Sequence, residues 1–467
     1  MEYAFRVFAA IYNHQVVDDG RHQESKTFLY GGPVPDGSRA VRIPALYKPR
    51  PDVEPPPRPS IVRYADEDFC LFHGLDPETN EPDWLAEIFE WLSGGHERGI
   101  SGRDSVGRVP ESQMIFSRAG LLPSKPQAAL HMAWLEHALR DSKEASALPK
   151  APSPVPDADH LVVSSHDVDF YFTGRRSAFH RLFKNLAISM LVYKSWGYFH
   201  SNLAMILKAL RGERVGDYLP GLMSRMEQSA CRSTFFVVPV HGHRRDPNYA
   251  LLKLAPRIQE ARGRGFSVEL HGSYSSVIEN RELAPEVHAL EQITGTKILG
   301  SRQHWLRFDR QETLFRTVEE AGLVFDSSLG FSGTVGFRNG ACFAFPPYDF
   351  KQERPHNFLE IPLAIMDGGL VELSLTTGEL AQRLAEQVLN ESRKRGWGGI
   401  SILWHNPLEA LSVPDETNQI FWSLLEKQKQ FREKWVTTDE FLSLSLPRYH
   451  NAGLLRNVNV DSLSSIA

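Results

Sequence analysis

The chain has 467 residues, of which 42% are hydrophobic and 23% are charged, and its formal net charge is −5. This length exceeds what one ordinary hydrophobic core supports, so we expect two domains in a soluble globular protein. The small negative charge gives no electrostatic reason to expect nucleic acid as a partner. The cysteines are widely spaced and form no Cys-x-x-Cys motif, which predicts reduced thiols at Cys70, Cys231 and Cys342.

The N-terminal sequence MEYAFRVFAAIYNHQ has no basic region followed by a long apolar run, so no signal peptide is expected. No stretch reaches the roughly 18 consecutive apolar residues that a membrane-spanning helix needs. Together with the reduced cysteines, these features predict a cytoplasmic protein.

Proline content divides the chain. Residues 34–59 are proline-rich and predict an extended loop in an N-terminal domain, because proline fixes φ and cannot donate to a strand ladder. Trp84 and Trp91 then lie on one face of a predicted helix that Asp83 can cap. Four prolines without periodicity in residues 147–159 predict a linker.

The linker separates an N-terminal accessory domain (residues 1–146) from a larger domain (160–445), which a tail (446–467) follows. In the larger domain, strand and helix patterns alternate: strands are predicted at 233–238, 266–270, 323–325 and 401–404, and helices at 249–264 and 312–320. Repeated βα units predict a parallel sheet or barrel with helices outside, and chemistry at the carboxyl ends of the strands. A helical insert at residues 172–228 interrupts the alternation. A lid or a partner-facing hairpin explains it better than a membrane-surface element does.

Four polar clusters follow apolar strands, at residues 166–169 (HDVD), 271–275 (HGSYS), 301–307 (SRQHWLR) and 405–406 (HN). Parallel neighbouring strands would bring all four to one mouth. Carboxylate and imidazole ligands can hold a divalent ion, while a second carboxylate takes a proton and a further imidazole gives one. Each residue also has a structural explanation: Asp169 as a turn cap, His271 as a core histidine, Arg302 paired with Asp326, and His405 as a polar loop residue.

From about Leu161 to Ser445, these motifs and their order resemble the polysaccharide deacetylases of the NodB homology, or carbohydrate esterase family four. The resemblance implies a distorted (β/α) barrel, here with a smaller N-terminal α/β domain. It also implies metal-dependent removal of N-acetyl groups from a sugar in a polysaccharide or its precursor. A bacterial subgroup with an N-terminal domain of unknown function is closer still, through phrases such as SRQHWLRF at residues 301–308.

Residue by residue, the resemblance implies Asp167 as catalytic base, Arg302 as the arginine that braces it, and His405 as general acid. Asp169 and His271 fall on metal-ligand positions. The family's two acids are adjacent, whereas Val168 separates them here, so the roles of Asp167 and Asp169 can be exchanged.

One position departs from the family pattern. Ser275 stands where the family has its second metal histidine, and a neutral serine is a poor ligand. His304 can supply the missing imidazole from the neighbouring strand, which completes an Asp169, His271 and His304 set for a divalent ion. Zinc is favoured, with cobalt and nickel as alternatives.

Four residues around the predicted mouth are candidates for sugar contacts: Tyr274, Trp305, Arg307 and Arg338. Trp305 can wall an acetyl pocket or belong to the core, and Arg338 can contact a sugar or belong to a glycine-rich structural loop. Two alternatives to the deacetylase stay open: a hydrolase of another non-peptide carbon–nitrogen bond, and a non-catalytic carbohydrate-binding member.

Overall fold

A computed structural model of the chain describes residues 1–14, 28–30, 41–43, 45–47, 59–64, 67–140, 148–171, 175–212, 215–247, 249–278, 283–408 and 413–456. Most of the proline-rich segment and residues 457–467 of the predicted tail lie outside these ranges. Helices and strands alternate through the described residues, as the predicted α/β class requires.

The N-terminal part is a small α/β unit. Asp83 caps its second helix as predicted, because the carboxylate accepts a hydrogen bond from the Ala86 N–H at 2.9 Å. Its elements in chain order are α1 (Glu2–Tyr12), β1 (Phe28–Tyr30), β2 (Val41–Ile43), β3 (Ser60–Tyr64), β4 (Glu67–Leu71), α2 (Trp84–Leu92), α3 (Ile115–Ala119) and α4 (Gln127–Arg140).

The larger part begins with a fully buried strand and a helical insert, then alternates strands with helices. Its elements up to the third βα unit are β5 (His160–Val168), α5 (Arg175–Leu191), α6 (Trp196–Leu210), α7 (Leu219–Gln228), β6 (Thr234–Val237), α8 (Leu251–Gly263), β7 (Ser267–Gly272), α9 (Ala284–Thr294), β8 (Gly300–Gln303) and α10 (Gln311–Glu320). The remaining elements are β9 (Phe325–Asp326), β10 (Tyr348–Asp349), β11 (Arg354–Pro355), β12 (Leu359–Glu360), β13 (Leu363–Met366), α11 (Val371–Arg395), β14 (Gly398–Leu403), α12 (Asp415–Lys427), β15 (Glu433–Val436) and α13 (Thr438–Asn451).

One parallel sheet organises this part, in the order β12-β9-β8-β7-β6-β5-β14-β13, with β15 also paired to β5. Its two end strands, β12 and β13, are separated by only Ile361 and Pro362. Such a short link holds the two ends of the sheet near each other, so the sheet curls into a distorted (β/α) barrel. Pro362 has no N–H to continue a ladder across the gap.

Two observations concern the predicted tail and linker, whose borders stay predictions. Helix α13 runs through residue 446, where the tail was predicted to begin, and Leu446 and Tyr449 are buried in it. The described part of the predicted linker is irregular, yet Ala151 and Val155 are buried. Among the described residues, no helix is long and apolar enough to cross a membrane.

Candidate active site

The four polar clusters meet at the carboxyl ends of β5, β7, β8 and β14, as parallel pairing requires. They border a cavity of about 320 Å³. Its lining residues are Arg108, Asp167, Asp169, His271, His304, Trp305, Leu306, Ser332, Met366 and His405.

Arg302, on β8, is completely buried and holds Asp167 at the end of β5. Its guanidinium donates to Asp167 Oδ1 at 2.9 Å and to Ser165 Oγ at 2.8 Å. The remaining N–H groups donate to Ser327 O, Ser327 Oγ and Ser401 Oγ. Arg302 therefore pairs with Asp167 rather than with Asp326.

The three side chains predicted as metal ligands lie together. The Nε2 atoms of His271 and His304 are each 3.5 Å from Asp169 Oδ1. That oxygen is buried and has no hydrogen-bond partner among the described residues. The Nδ1–H of His271 donates to the Arg302 carbonyl at 2.8 Å, so its Nε2 keeps a free lone pair. One carboxylate and two imidazoles around an unsatisfied oxygen fit a divalent cation such as zinc.

His304 lies beside His271 and Asp169, whereas Ser275 does not belong to this group. Strands β7 and β8 pair in register with His271 opposite Arg302, so His304 lies directly after the end of the neighbouring strand β8. The two imidazole rings are 5.0 Å apart between centroids. Ser275, which stands at the family's histidine position, is buried but does not line the cavity.

Asp246 lies behind His304 and was not found from the sequence. Its Oδ1 is 3.8 Å from His304 Nδ1 and accepts a hydrogen bond from the Tyr274 N–H. Burial lowers the pKa of His304, but Asp169 and Asp246 outweigh it and raise this pKa to about 9. The two carboxylates thus favour a positive charge at His304. A divalent cation would compete for this site with the proton on the His304 imidazole.

His405 approaches Asp169 from the β14 side. Its Nε2 is 3.5 Å from Asp169 Oδ2, and its Nδ1 is 2.8 Å from the buried Asp367 carboxylate, which also accepts from the His405 N–H. Burial lowers the pKa of His405, yet Asp367 together with Asp169 and Asp167 raises it to about 10. His405 is therefore protonated at neutral pH and can give a proton.

The N-terminal part also reaches the cavity. Arg108 donates to the Trp305 carbonyl at 2.9 Å and is fixed by Asp104, while Glu111 accepts from the Ser332 N–H at 2.8 Å. Trp305 (φ 65°) and Leu306 (φ 49°) both have left-handed backbone conformations, which cost energy for residues other than glycine. Arg108 and Glu111 therefore hold two loops of the cavity wall, a role that the sequence motifs did not indicate.

The four predicted sugar contacts occupy different positions. Trp305 is 46% exposed and lines the cavity. Tyr274 is buried, accepts from Arg245 and stacks on His243 with 4.3 Å between ring centroids.

Two of these predictions do not fit the packing. Arg307 donates to the carbonyls of Val106 and Tyr274, so it braces the wall from behind. Arg338 is buried in an ion pair with Glu97 and does not line the cavity.

No family model and no curated protein matches the chain. Its structure is similar to that of a proposed polysaccharide deacetylase from Mycobacterium smegmatis, at 17% identity over 65% of this chain and 96% of that one, with a TM-score of 0.40. A family 4 acetyl xylan esterase from Clostridium thermocellum with a cobalt ion is 14% identical over 61% of this chain and 91% of that one, with a TM-score of 0.29. A mutant CE4 family pseudoenzyme is 11% identical over 65% of this chain and 73% of that one, with a TM-score of 0.31.

These structures include members of the family that the sequence motifs resemble. At such identities and TM-scores they transfer no activity to this chain. The function has to come from the chemistry of the side chains at the mouth of the barrel.

Proposed function

We propose that the chain is a metal-dependent hydrolase that removes the N-acetyl group from a sugar of a polysaccharide or its precursor. One observation carries this proposal: a carboxylate paired with an arginine, a cluster of three metal-type ligands and a histidine paired with a second carboxylate surround a single cavity. The acid is Asp167, braced by Arg302, and the histidine is His405, backed by Asp367. This combination suits amide hydrolysis, which has to activate water and protonate a leaving nitrogen.

Asp169, His271 and His304 would hold the metal. When bound, a divalent cation lowers the pKa of water and polarises the acyl oxygen. Asp167 then accepts the proton of the attacking water at Oδ2, because its Oδ1 is already engaged by Arg302. His405 donates its proton to the departing sugar nitrogen. In this assignment Asp167 is the base and Asp169 is the metal ligand, although Val168 separates them in the sequence.

An apolar part of the cavity wall favours a small acyl group as the group that is removed. Leu306 packs with the buried Leu363 and Leu403, and Met366 lies against them. Leu306 and Met366 both line the cavity beside His405. A methyl group fits against such a surface, and the half-exposed Trp305 offers a ring face to a sugar.

The first experiment measures metal content by mass spectrometry on protein purified without chelators. We expect about one divalent ion per chain, lost in His271→Ala and in His304→Ala. His288→Ala is the matched control, because this exposed histidine contacts only Gln292 among the described contacts. Protein without a metal, and without uptake on titration with zinc, cobalt or nickel, would contradict the proposal.

The second experiment measures acetate release from a panel of N-acetylated sugars after loading with zinc, cobalt or nickel. Asp167→Asn is expected to lose turnover while it keeps its metal.

Ser275, which departs from the family pattern, keeps a second candidate open: hydrolysis of another non-peptide carbon–nitrogen bond. Metal binding with no acetate release, but with turnover of other amides or ureides, would favour that candidate. Sugar binding without metal or turnover would instead favour a non-catalytic carbohydrate-binding protein.

A further inference from the structure

The helical hairpin formed by α5 and α6 exposes an unusual amount of apolar surface. Half of the fourteen large hydrophobic side chains exposed among the described residues lie between residues 183 and 210. They are Phe183, Leu191, Val192, Trp196, Leu203, Leu207 and Leu210. A contiguous exposed apolar surface of this kind marks an interaction site.

Four of these seven side chains form a stripe along one face of α6. Trp196, Leu203, Leu207 and Leu210 follow the spacing of seven, four and three residues that places side chains on one side of a helix. The opposite side of α6 is buried, with Met205 and Ile206 in the core. The two helices are joined inside by a hydrogen bond between the Asn185 and Asn202 side chains, 3.1 Å long.

The charged side chains of the hairpin are all basic. Residues 175–212 contain seven lysines and arginines and no aspartate or glutamate, in a chain whose net charge is −5. Lys184, Lys194 and Lys208 of this hairpin are exposed. Apolar side chains combined with basic ones, and with a tryptophan at the turn, are the features of a helix that lies in the interface of an anionic membrane.

We propose that the α5–α6 hairpin docks the protein onto the surface of an anionic lipid bilayer. The charge pattern selects this partner over a second copy of the chain. A two-fold contact through this face would set one cationic surface against another. The exposed stripe also favours the membrane-surface alternative over the lid or partner-facing hairpin that the sequence pattern suggested.

The hairpin lies beside the mouth of the barrel. It follows β5, whose end carries Asp167, and Ser201 donates to Asp415 at the start of α12. Helix α12 follows β14, whose end carries His405. Docking therefore brings the mouth near the lipid headgroups, which suits a lipid-linked sugar as substrate. The substrate rests on the proposed function, whereas the docking does not.

The test is co-sedimentation of the full chain with vesicles of phosphatidylcholine alone or with an equal share of phosphatidylglycerol. We expect binding to the anionic vesicles that weakens with salt. Leu191→Glu combined with Leu210→Glu should weaken binding at least tenfold. Leu252→Glu combined with Leu122→Glu is the matched control, because these leucines are similarly exposed (78% and 59%, against 79% and 62%) and lie outside the hairpin.

The charge contribution is tested by replacing Lys184, Lys194 and Lys208 with glutamine. Loss of about fivefold per charge predicts a reduction on the order of 100-fold on anionic vesicles. The same change at the exposed Lys253, Lys351 and Lys429 is the control and should reduce binding to anionic vesicles much less. Absence of wild-type binding, or equal losses in test and control variants, would overturn the proposal. A dimer in light scattering that Leu191→Glu with Leu210→Glu converts to a monomer would overturn it too, because the face would then join two copies.

Discussion

A single buried guanidinium is the charge partner of the candidate base. Since Arg302 has no solvent exposure, its replacement leaves the Asp167 carboxylate buried without its charge partner. We expect Arg302→Met to lower the free energy of unfolding by about 3–5 kcal/mol and to abolish turnover. Arg302→Lys should have a free energy of unfolding between those of the wild type and Arg302→Met, because lysine keeps the charge but cannot also reach Ser327 and Ser401. Urea denaturation measures the stability, and a variant as stable as the wild type would refute this account.

Asp367 is expected to act through His405 without contacting substrate. Its carboxylate accepts from both the side chain and the backbone N–H of His405, which orients the ring and favours its protonated form. Asp367→Asn keeps the shape and removes the charge, so kcat should fall by about 10²–10⁴. The metal content should stay unchanged, unlike in Asp169→Asn. Kinetics and metal analysis on both variants check this, and loss of metal from Asp367→Asn would show that its role lies elsewhere.

The sequence predicts the residues that directly follow apolar strands, and these form the centre of the site. Asp167, His271 and His405 fall in this class. Asp367 also follows an apolar strand, Leu363–Met366, so the same signal was available for it. Asp246 had no such signal. It lies in a loop well beyond the end of β6, and only the tertiary fold brings it to His304.

At the scale of elements, the segment from Asp104 to Glu111 is expected to shape the cavity from outside the barrel. Arg108→Ala removes the hydrogen bond to the Trp305 carbonyl and leaves a strained turn without its brace. We expect kcat/KM to fall by about 10- to 100-fold through misplaced substrate, mainly as a rise in KM. Steady-state kinetics measures this.

Arg103→Ala is the matched control for that prediction. Among the described residues, Arg103 donates only to the carbonyls of the nearby Ile100 and Gly102, and it does not line the candidate cavity. Its loss should leave KM close to the wild-type value. Equal effects of the two substitutions would mean that the segment acts through general stability rather than through the turn at Trp305.

Regular elements were predictable where periodicity and end signals agree. The helix predicted at residues 249–264 is α8 (Leu251–Gly263), and the expected Gly265 follows it with φ 77°. Prediction was weaker where it relied on composition alone, because composition does not report how a segment packs. Prolines indicated a linker at residues 147–159 but not the burial of Ala151 and Val155 in it, because proline blocks strand ladders without preventing burial.

At the scale of the whole molecule, the N-terminal part and the barrel share one hydrophobic core. Phe8 and Trp91 belong to the same buried cluster as Phe235 and Trp397. Sequence patterns report which faces are apolar but not which elements cover each other, so this shared core was not predictable. The border between the two predicted domains therefore stays a prediction, although the barrel itself follows from the strand order.

The ion pair between Glu97 and Arg338 ties the two parts together, and it gives a stability prediction with a defined pH dependence. Arg338 donates twice to the Glu97 carboxylate, at 2.8 and 2.9 Å, and both side chains are buried. Burial alone would raise the pKa of Glu97, but Arg338 outweighs it and lowers this pKa below its usual value of 4.5. We expect Glu97→Gln to lower the free energy of unfolding by about 3–5 kcal/mol at pH 7, because Arg338 is left buried without a counter-charge.

The sign of the pH dependence follows from the lowered pKa. Because the folded state binds the proton of Glu97 less readily than the unfolded state, the contribution of Glu97 is complete above about pH 4.5 and is lost as the pH falls further. The difference between wild type and Glu97→Gln should therefore shrink below that pH. Glu312→Gln is the control, since its pair with Arg98 is partly exposed and should contribute no more than about 1 kcal/mol. Urea denaturation from pH 7 to pH 4 measures both, and a difference that grows on acidification would show that Glu97 is protonated in the folded protein.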